Sequence, residues 1–161
     1  MRVLIVSDTH GRHRGIEQAI ELEKPFDMLI HLGDGEGYED YIAELCGCPM
    51  EIVAGNNDFF SDLDREKIIE IEGLRIFLTH GHYYYVNSGL GDLVYAARKN
   101  HCDIVMFGHI HIPLIEKIKG ITVLNPGSLT YPRQENKKPS YIVMETWENR
   151  SPNYFIKYLD F

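Results

Sequence analysis

The sequence has few cysteines and no long apolar segment, and both absences exclude classes of protein. Its three cysteines, Cys46, Cys48 and Cys102, are an odd number without the spacing of a disulfide framework, a redox pair or a zinc site. We expect them to be small thiols in a reducing compartment. Apolar runs such as Val3–Val6 and Ile104–Phe107 are far shorter than the roughly 20 residues of a membrane-spanning helix.

Positive charge is also scarce. The 161 residues include 16 lysines and arginines against 24 aspartates and glutamates, so the net charge is -8 at pH 7. Long nucleic acid is therefore not expected as a partner, because its phosphates would be repelled. The beginning of the chain shows no signal-peptide core, so we expect a cytoplasmic location and no membrane association. The length and the 44% of hydrophobic residues predict a single globular domain over residues 1–161.

The first third of the chain alternates short apolar runs with amphipathic segments. Val3–Val6, Asp27–Leu32 and Met50–Ala54 have the composition of buried strands, and helical spacing occurs between them. This order predicts a parallel sheet with right-handed crossovers. Farther on, Gly73 separates two strand-like runs and indicates an antiparallel hairpin. Aromatic residues near the C-terminus fit an edge strand, and they leave a homo-oligomer contact open.

Polar clusters follow the apolar runs. They are Asp8-Thr9-His10, Gly33-Asp34, Gly55-Asn56-Asn57-Asp58, His80-Gly81-His82 and Gly108-His109-Ile110-His111. In open α/β sheets, ligands bind at the carboxyl ends of the strands, so these clusters can converge on one site. In an extended backbone, residues i and i+2 point to the same side, which would let each Asp-x-His or His-x-His pair bind one ion.

The side chains of these clusters predict a metal site. Gly-Asp and Gly-Asn are common turn signals when taken singly, but the ordered set favours metal binding. Carboxylates, imidazoles and a carboxamide without thiolate suit Mn²⁺, Fe²⁺, Co²⁺, Ni²⁺ or Zn²⁺. The number of donors exceeds what one four-coordinate ion needs, which indicates two ions bridged by one carboxylate.

These motifs, in this order and followed by Asn125-Pro126-Gly127-Ser128, resemble those of the calcineurin-like metallophosphoesterases. The short chain resembles the small bacterial and archaeal phosphodiesterase branch (YfcE-like), to which a eukaryotic retromer scaffold subunit is related. The resemblance implies a metallo-dependent phosphatase-like α/β fold, a four-layer αββα sandwich with two mixed β-sheets. It also implies a binuclear metal site at the rim of the sandwich.

The resemblance further implies a role for each motif residue. It implies seven metal ligands: Asp8, His10 and His111 for the first ion, Asn56, His80 and His109 for the second, and Asp34 as the bridge between them. Mn²⁺ is the expected ion, with Ni²⁺, Zn²⁺, Fe²⁺ or Co²⁺ as alternatives. Asn57 stands where the family often has a histidine that assists the leaving group. His82 is the second candidate catalytic residue, and a structural role for it stays open.

The expected function is that of a hydrolase, a metal-dependent phosphodiesterase acting on a small phosphoester substrate. A hydroxide that bridges the two metal ions would attack the phosphorus atom. Two alternatives stay open. One is a non-catalytic scaffold with the same fold, and the other is a phosphomonoesterase acting on a small metabolite.

Overall fold

Ten strands and three α-helices make up the computed structural model, which describes residues 1–161. The strands are β1 (Arg2–Val6), β2 (Met28–His31), β3 (Met50–Ile52), β4 (Glu66–Ile71), β5 (Leu74–Thr79), β6 (Ile104–Met106), β7 (Pro113–Ile118), β8 (Ile121–Pro126), β9 (Ser140–Trp147) and β10 (Arg150–Tyr158). The helices are α1 (Arg14–Glu23), α2 (Glu39–Cys46) and α3 (Gly91–Lys99), and a short 3₁₀ helix covers His82–Tyr84. No helix combines the length and the apolar character needed to cross a membrane.

The strands form two mixed five-stranded sheets. The first has the order β10-β9-β1-β2-β3, and the second has the order β4-β5-β6-β8-β7. β1, β2 and β3 are parallel, as the alternating pattern predicts. β4 and β5 pair antiparallel around Gly73, so the predicted hairpin is also confirmed. β8 continues through Asn125 to Pro126, which pairs with Pro113 of β7.

Alternating side chains of the central strands build the layers. Val3 and Ile5 of β1 enter the core between the two sheets, together with Ile104 of β6. Leu4 of β1 points the other way, into a second core under α1 and α2. Val105 of β6 likewise enters a third core beneath α3. Because successive side chains of a strand point to opposite faces, each sheet has one face in the central core and the other face covered by helices. The expected αββα sandwich is confirmed.

The topology brings four strand ends to one edge of the molecule. β1 and β2 are parallel in the first sheet, and β5 and β6 are parallel in the second. Backbone hydrogen bonds then join the loops after these strands. The N–H of Asp8 donates to the carbonyl of Gly33 at 3.0 Å, and the N–H of Gly108 donates to the carbonyl of His80 at 3.0 Å. The polar motifs are therefore held beside each other.

Candidate metal centre

Three of the predicted ligands form one group of donor atoms. Asp8 Oδ1 lies 3.1 Å from His111 Nε2 and 3.6 Å from His10 Nε2. The two imidazole Nε2 atoms are 3.3 Å apart, although their residues are far apart in the chain. These are the three residues expected around the first ion, and together they could hold a metal.

A second donor group lies next to the first and combines Asp8, Asp34 and His80. Asp34 Oδ2 is 3.4 Å from His80 Nε2 and 3.8 Å from His10 Nε2. Asp34 therefore lies between histidines of the two predicted triads, where a bridging carboxylate would have to be. Asp8 Oδ1 also lies 3.8 Å from His80 Nε2, so Asp8 takes part in both groups.

Asn56 and His109 lie at the rim of the site. Asn56 Oδ1 is 3.1 Å from His109 Nδ1, and the other ring nitrogen of His109 is 3.2 Å from Asn87 Nδ2. The His109 ring centroid is 5.2 Å from that of His80. His109 belongs to neither donor group, and its two ring nitrogens face Asn56 and Asn87 beside the second group.

The loops that carry the ligands turn sharply, which differs from the extended backbone assumed from the sequence. Five of the predicted ligands have positive φ angles of 50 to 69°: Asp8, His10, Asp34, His109 and His111. The assumption that Asp-x-His and His-x-His segments are extended is therefore wrong. Left-handed backbone at a residue other than glycine costs about 1–3 kcal/mol and persists where the surrounding structure imposes it. Such residues cluster at functional sites.

Glycines allow the loops to approach each other. Gly33 has φ +105°, and a Cβ atom there would lie 2.7 Å from His80 Nδ1. A Cβ atom on Gly108 would lie 2.7 Å from Asp8 Oδ2. Both contacts are closer than carbon atoms tolerate. A side chain at either position would therefore displace a predicted ligand.

Hydrogen bonds orient the ligand atoms toward one another. The Nδ1 atom of His80 is 2.7 Å from the carbonyl of Leu32, and that of His111 is 2.7 Å from the carbonyl of Tyr131. A proton on each Nδ1 leaves Nε2 free to bind a metal. Asp8 Oδ2 accepts hydrogen bonds from Ser7 Oγ at 2.5 Å and from the backbone N–H of His109 at 3.0 Å. Asp8 Oδ1 remains directed at the imidazoles.

The electrostatics of the site fit a bound cation. Burial raises the pKa of Asp34, but attraction from His80 and hydrogen bonds from Asn57 outweigh it and lower that pKa to about 2. Burial likewise raises the pKa of Asp8, and His80, His10 and His111 hold it far below its ordinary value. Burial lowers the pKa of His80, but the two carboxylates raise it to about 9. Asp8 Oδ1 and His80 Nε2 are buried without a hydrogen-bond partner, so a cation between them would satisfy both.

The pKa values of three further histidines shift in different directions. The pKa of His10 is raised, because the interaction with the Asp8 carboxylate, 3.6 Å away, outweighs burial. Burial and the neighbouring His80 lower the pKa of His109. Burial and the same neighbour lower the pKa of His82 to about 4. His82 is near the site, with its ring centroid 5.4 Å from that of His80 and 6.1 Å from that of His109.

Asn57 contacts the expected bridging residue. Its backbone N–H donates to Asp34 Oδ1 at 2.8 Å, and its side-chain Nδ2 donates to Asp34 Oδ2 at 2.8 Å. The next residue, Asp58, accepts hydrogen bonds from the backbone N–H groups of Asp34 at 2.8 Å, Gly55 at 2.7 Å and Glu36 at 2.7 Å. Asp58 thereby joins the loops after β2 and β3. Its contacts are to backbone rather than to a ligand side chain.

Sequence reasoning missed several residues that hold the site. Ser128 Oγ donates to the carbonyl of Asp8 at 2.8 Å, and Thr130 Oγ1 donates to the carbonyl of Thr9 at 2.7 Å. Glu36 Oε2 lies 2.9 Å from His10 Nδ1. The motif ending in Ser128 was a signal for the first contact. No sequence pattern marks the other two.

A cavity of about 200 Å³ opens over the donor groups, and Tyr131 and Arg133 line it together with predicted ligands. A larger cavity of about 480 Å³ lies at the opposite ends of the strands, beside Leu74 and Asp103. That larger cavity contains none of the predicted site residues. The position of the donor groups, and not cavity size, therefore identifies the candidate site.

Comparison with known proteins agrees with this fold. Residues 1–149 match the family model described as the calcineurin-like phosphoesterase superfamily domain, and the chain belongs to this family. It is 35% identical over 150 residues to the probable metallophosphoesterase YsnB of Bacillus subtilis, covering 92% of this chain and 86% of the relative. It is 32% identical over 145 residues to the phosphodiesterase MJ0936 of Methanocaldococcus jannaschii, covering 79% and 83%.

A solved structure shows the same architecture. The chain superposes on a predicted phosphoesterase from Streptococcus pneumoniae TIGR4 with a TM-score of 0.79 and 25% identity, covering 97% of each chain. The family membership supports a metal-dependent hydrolase of phosphoesters. The match to the family model ends at residue 149, before β10. The extent of a single domain over residues 1–161 therefore stays a prediction.

Proposed function

We propose that this protein is a phosphodiesterase that depends on two divalent metal ions, with Mn²⁺ as the expected ion. One observation carries the proposal. Two donor groups share Asp8, and buried atoms of Asp8 and His80 in them lack a hydrogen-bond partner. The relative named phosphodiesterase MJ0936 supports diesters as the substrate class.

In this proposal the two ions are held by the seven residues that the motifs indicate. When bound, such a pair supplies Lewis acidity and an activated water nucleophile. The chain itself orients the ligands. The carbonyl groups that contact His80 and His111 fix their rings, and Asn57 holds both oxygen atoms of Asp34. Arg133 lines the same cavity, and a guanidinium suits phosphate oxygen atoms.

The leaving group receives little help from Asn57. An amide has no transferable proton at neutral pH, and the Asn57 amide already donates to Asp34. His82 stays the second candidate catalytic residue, but with a pKa of about 4 its ring is mostly neutral at pH 7 and is a poor proton donor. We therefore expect aryl diesters, whose leaving groups are stable without a proton, to react faster than alkyl diesters. Equal rates for both classes would contradict this assignment.

The central test is hydrolysis of bis-p-nitrophenyl phosphate after chelation and after re-addition of Mn²⁺, Ni²⁺ or Zn²⁺. We expect activity to disappear and then return, with two ions bound per chain by elemental analysis. A higher rate with p-nitrophenyl phosphate than with the diester would instead favour the phosphomonoesterase. No turnover with any ion would favour the non-catalytic scaffold.

A further inference from the structure

A second cavity, of about 420 Å³, adjoins the candidate metal centre. Asn56 lines both this cavity and the smaller one over the donor groups, and His82 lines the second cavity beside it. A substrate whose phosphate occupies the metal centre would therefore have one substituent directed toward the second cavity. The size of the cavity is typical of pockets for small organic groups.

The lining of the second cavity is rich in exposed aromatic rings. Phe59, Phe60 and Tyr83 line it, and their exposed fractions are 72%, 107% and 55%. Single exposed apolar side chains are ordinary, but several around one cavity mark a binding surface. The Phe59 and Phe60 rings are mostly exposed, and the Tyr83 ring is half-exposed with the His82 ring at a centroid distance of 4.2 Å, so each ring keeps free surface for a ligand.

The charge in the cavity indicates what kind of group it would bind. The Arg65 guanidinium lies 4.9 Å from the centroid of the Tyr83 ring, and Arg65 makes no salt bridge. The only carboxylate in the lining, Asp58, already accepts three backbone hydrogen bonds. A cationic substituent would be repelled by Arg65, and the cavity lining has no free carboxylate to attract it. The cavity therefore favours a neutral or anionic group.

We propose that the cavity lined by Phe59, Phe60, Arg65 and Tyr83 binds a planar aromatic substituent of the phosphoester substrate. This inference rests on the proposed function, because the phosphate of the same molecule would lie at the metal centre. Aromatic rings stack on one another and on guanidinium planes, and this stacking tolerates different rings. A simple aryl group and a nucleobase share the required chemistry.

The test is direct binding of phosphonates, whose carbon–phosphorus bond is not a phosphoester. Calorimetric titration of the Mn²⁺-loaded protein would compare phenylphosphonate with methylphosphonate, which differ in the ring alone. We expect the phenyl compound to bind about tenfold more tightly. In Phe60→Ala and Tyr83→Ala this preference should fall to near twofold or less, while methylphosphonate binds as before.

Tyr95→Ala is the matched control, because Tyr95 is 68% exposed on α3 and does not line the cavity. It should keep the full preference for the ring. A second pair, thymidine 5′-monophosphate and 2-deoxyribose 5-phosphate, distinguishes a nucleobase from a simple aryl group when both pairs are also titrated into the chelated protein. The pair with the larger ratio of affinities in favour of its ring-bearing member identifies the type of ring that the cavity binds.

Three results would overturn the inference. The first is equal affinity for both members of each pair. The second is a preference for the ring that survives in both variants. The third is loss of self-association in the variants while their preference for the ring is unchanged. The last result would identify an interface between copies of the chain. Because binding is measured without turnover, an inactive protein that still prefers the ring would refute the proposed hydrolysis and leave the aromatic subsite standing.

Discussion

Replacing Asp58 with alanine should loosen the metal centre and destabilise the fold at the same time. Its carboxylate accepts hydrogen bonds from the backbone N–H groups of Asp34, Gly55 and Glu36 at 2.7–2.8 Å. In Asp58→Ala all three donors lose their acceptor. The Glu36 donor is exposed, so water replaces the lost bond there. The other two donors are partly buried, and each unsatisfied donor costs about 1–3 kcal/mol.

The expected loss is about 3 kcal/mol of unfolding free energy, taking the lower half of that range because both groups are only partly buried. For a chain of this length this corresponds to a fall in melting temperature of roughly 6–12 °C. Differential scanning calorimetry in the presence of a chelator would measure it without a contribution from bound metal. A separate Mn²⁺ titration should show weaker binding, since the loop that carries Asp34 is no longer tied to the loop after β3.

Asp62→Ala is the matched control for this experiment. Asp62 lies in the same loop region, is exposed and makes no side-chain hydrogen bond. It should melt within about 1 °C of the unmodified protein, as expected for a surface substitution of this kind. If Asp58→Ala melted as the control does, the three hydrogen bonds would not support the site as argued.

Three further outcomes are expected. Asp34→Asn should abolish binding of both ions in a calorimetric Mn²⁺ titration, whereas binding of one full-affinity ion would disprove the bridging position. Ser128→Ala removes the bond to the Asp8 carbonyl and should lower Mn²⁺ affinity about 10-fold or more; unchanged affinity would show that the contact is dispensable. Burial raises the pKa of Glu23, but hydrogen bonds from Tyr141, Lys157 and Arg2 hold it below its ordinary value. Glu23→Gln should therefore cost about 2 kcal/mol at pH 7 in urea unfolding. Because the stabilisation exists above the ordinary glutamate pKa of about 4.3 and is lost as pH falls through the lower folded value, the difference should shrink in that range. A difference that is constant down to pH 2 would contradict this origin.

Much of the fold follows from local patterns. The alternation of side chains in β1 and the hairpin around Gly73 are visible in the sequence, because each depends on neighbouring residues. The donor set was visible for the same reason, since each motif directly follows an apolar strand. The metal identity, the diester preference, the roles of Asn57 and His82 and the cytoplasmic location stay predictions.

Other features could not be inferred from neighbouring residues. The exposure of the three tyrosines after His82 is one of them. Only Tyr84 packs, against Phe77, whereas Tyr83 and Tyr85 are exposed by 55% and 73%. The sequence contains no sign of this difference, because it depends on the left-handed turn at Tyr85, with φ +53°, and on the cavity beside β4. That cavity is the basis of the proposed aromatic subsite.

The sequence alone determined which donor atoms the protein carries and which strand each one follows. Only the tertiary structure decided how those atoms meet. His10 and His111 approach each other because β1 and β6 belong to different sheets whose ends share one edge, and because backbone hydrogen bonds between loops impose left-handed turns on them. Such turns are costly in an isolated segment. They persist here because contacts distant in the chain hold them in place.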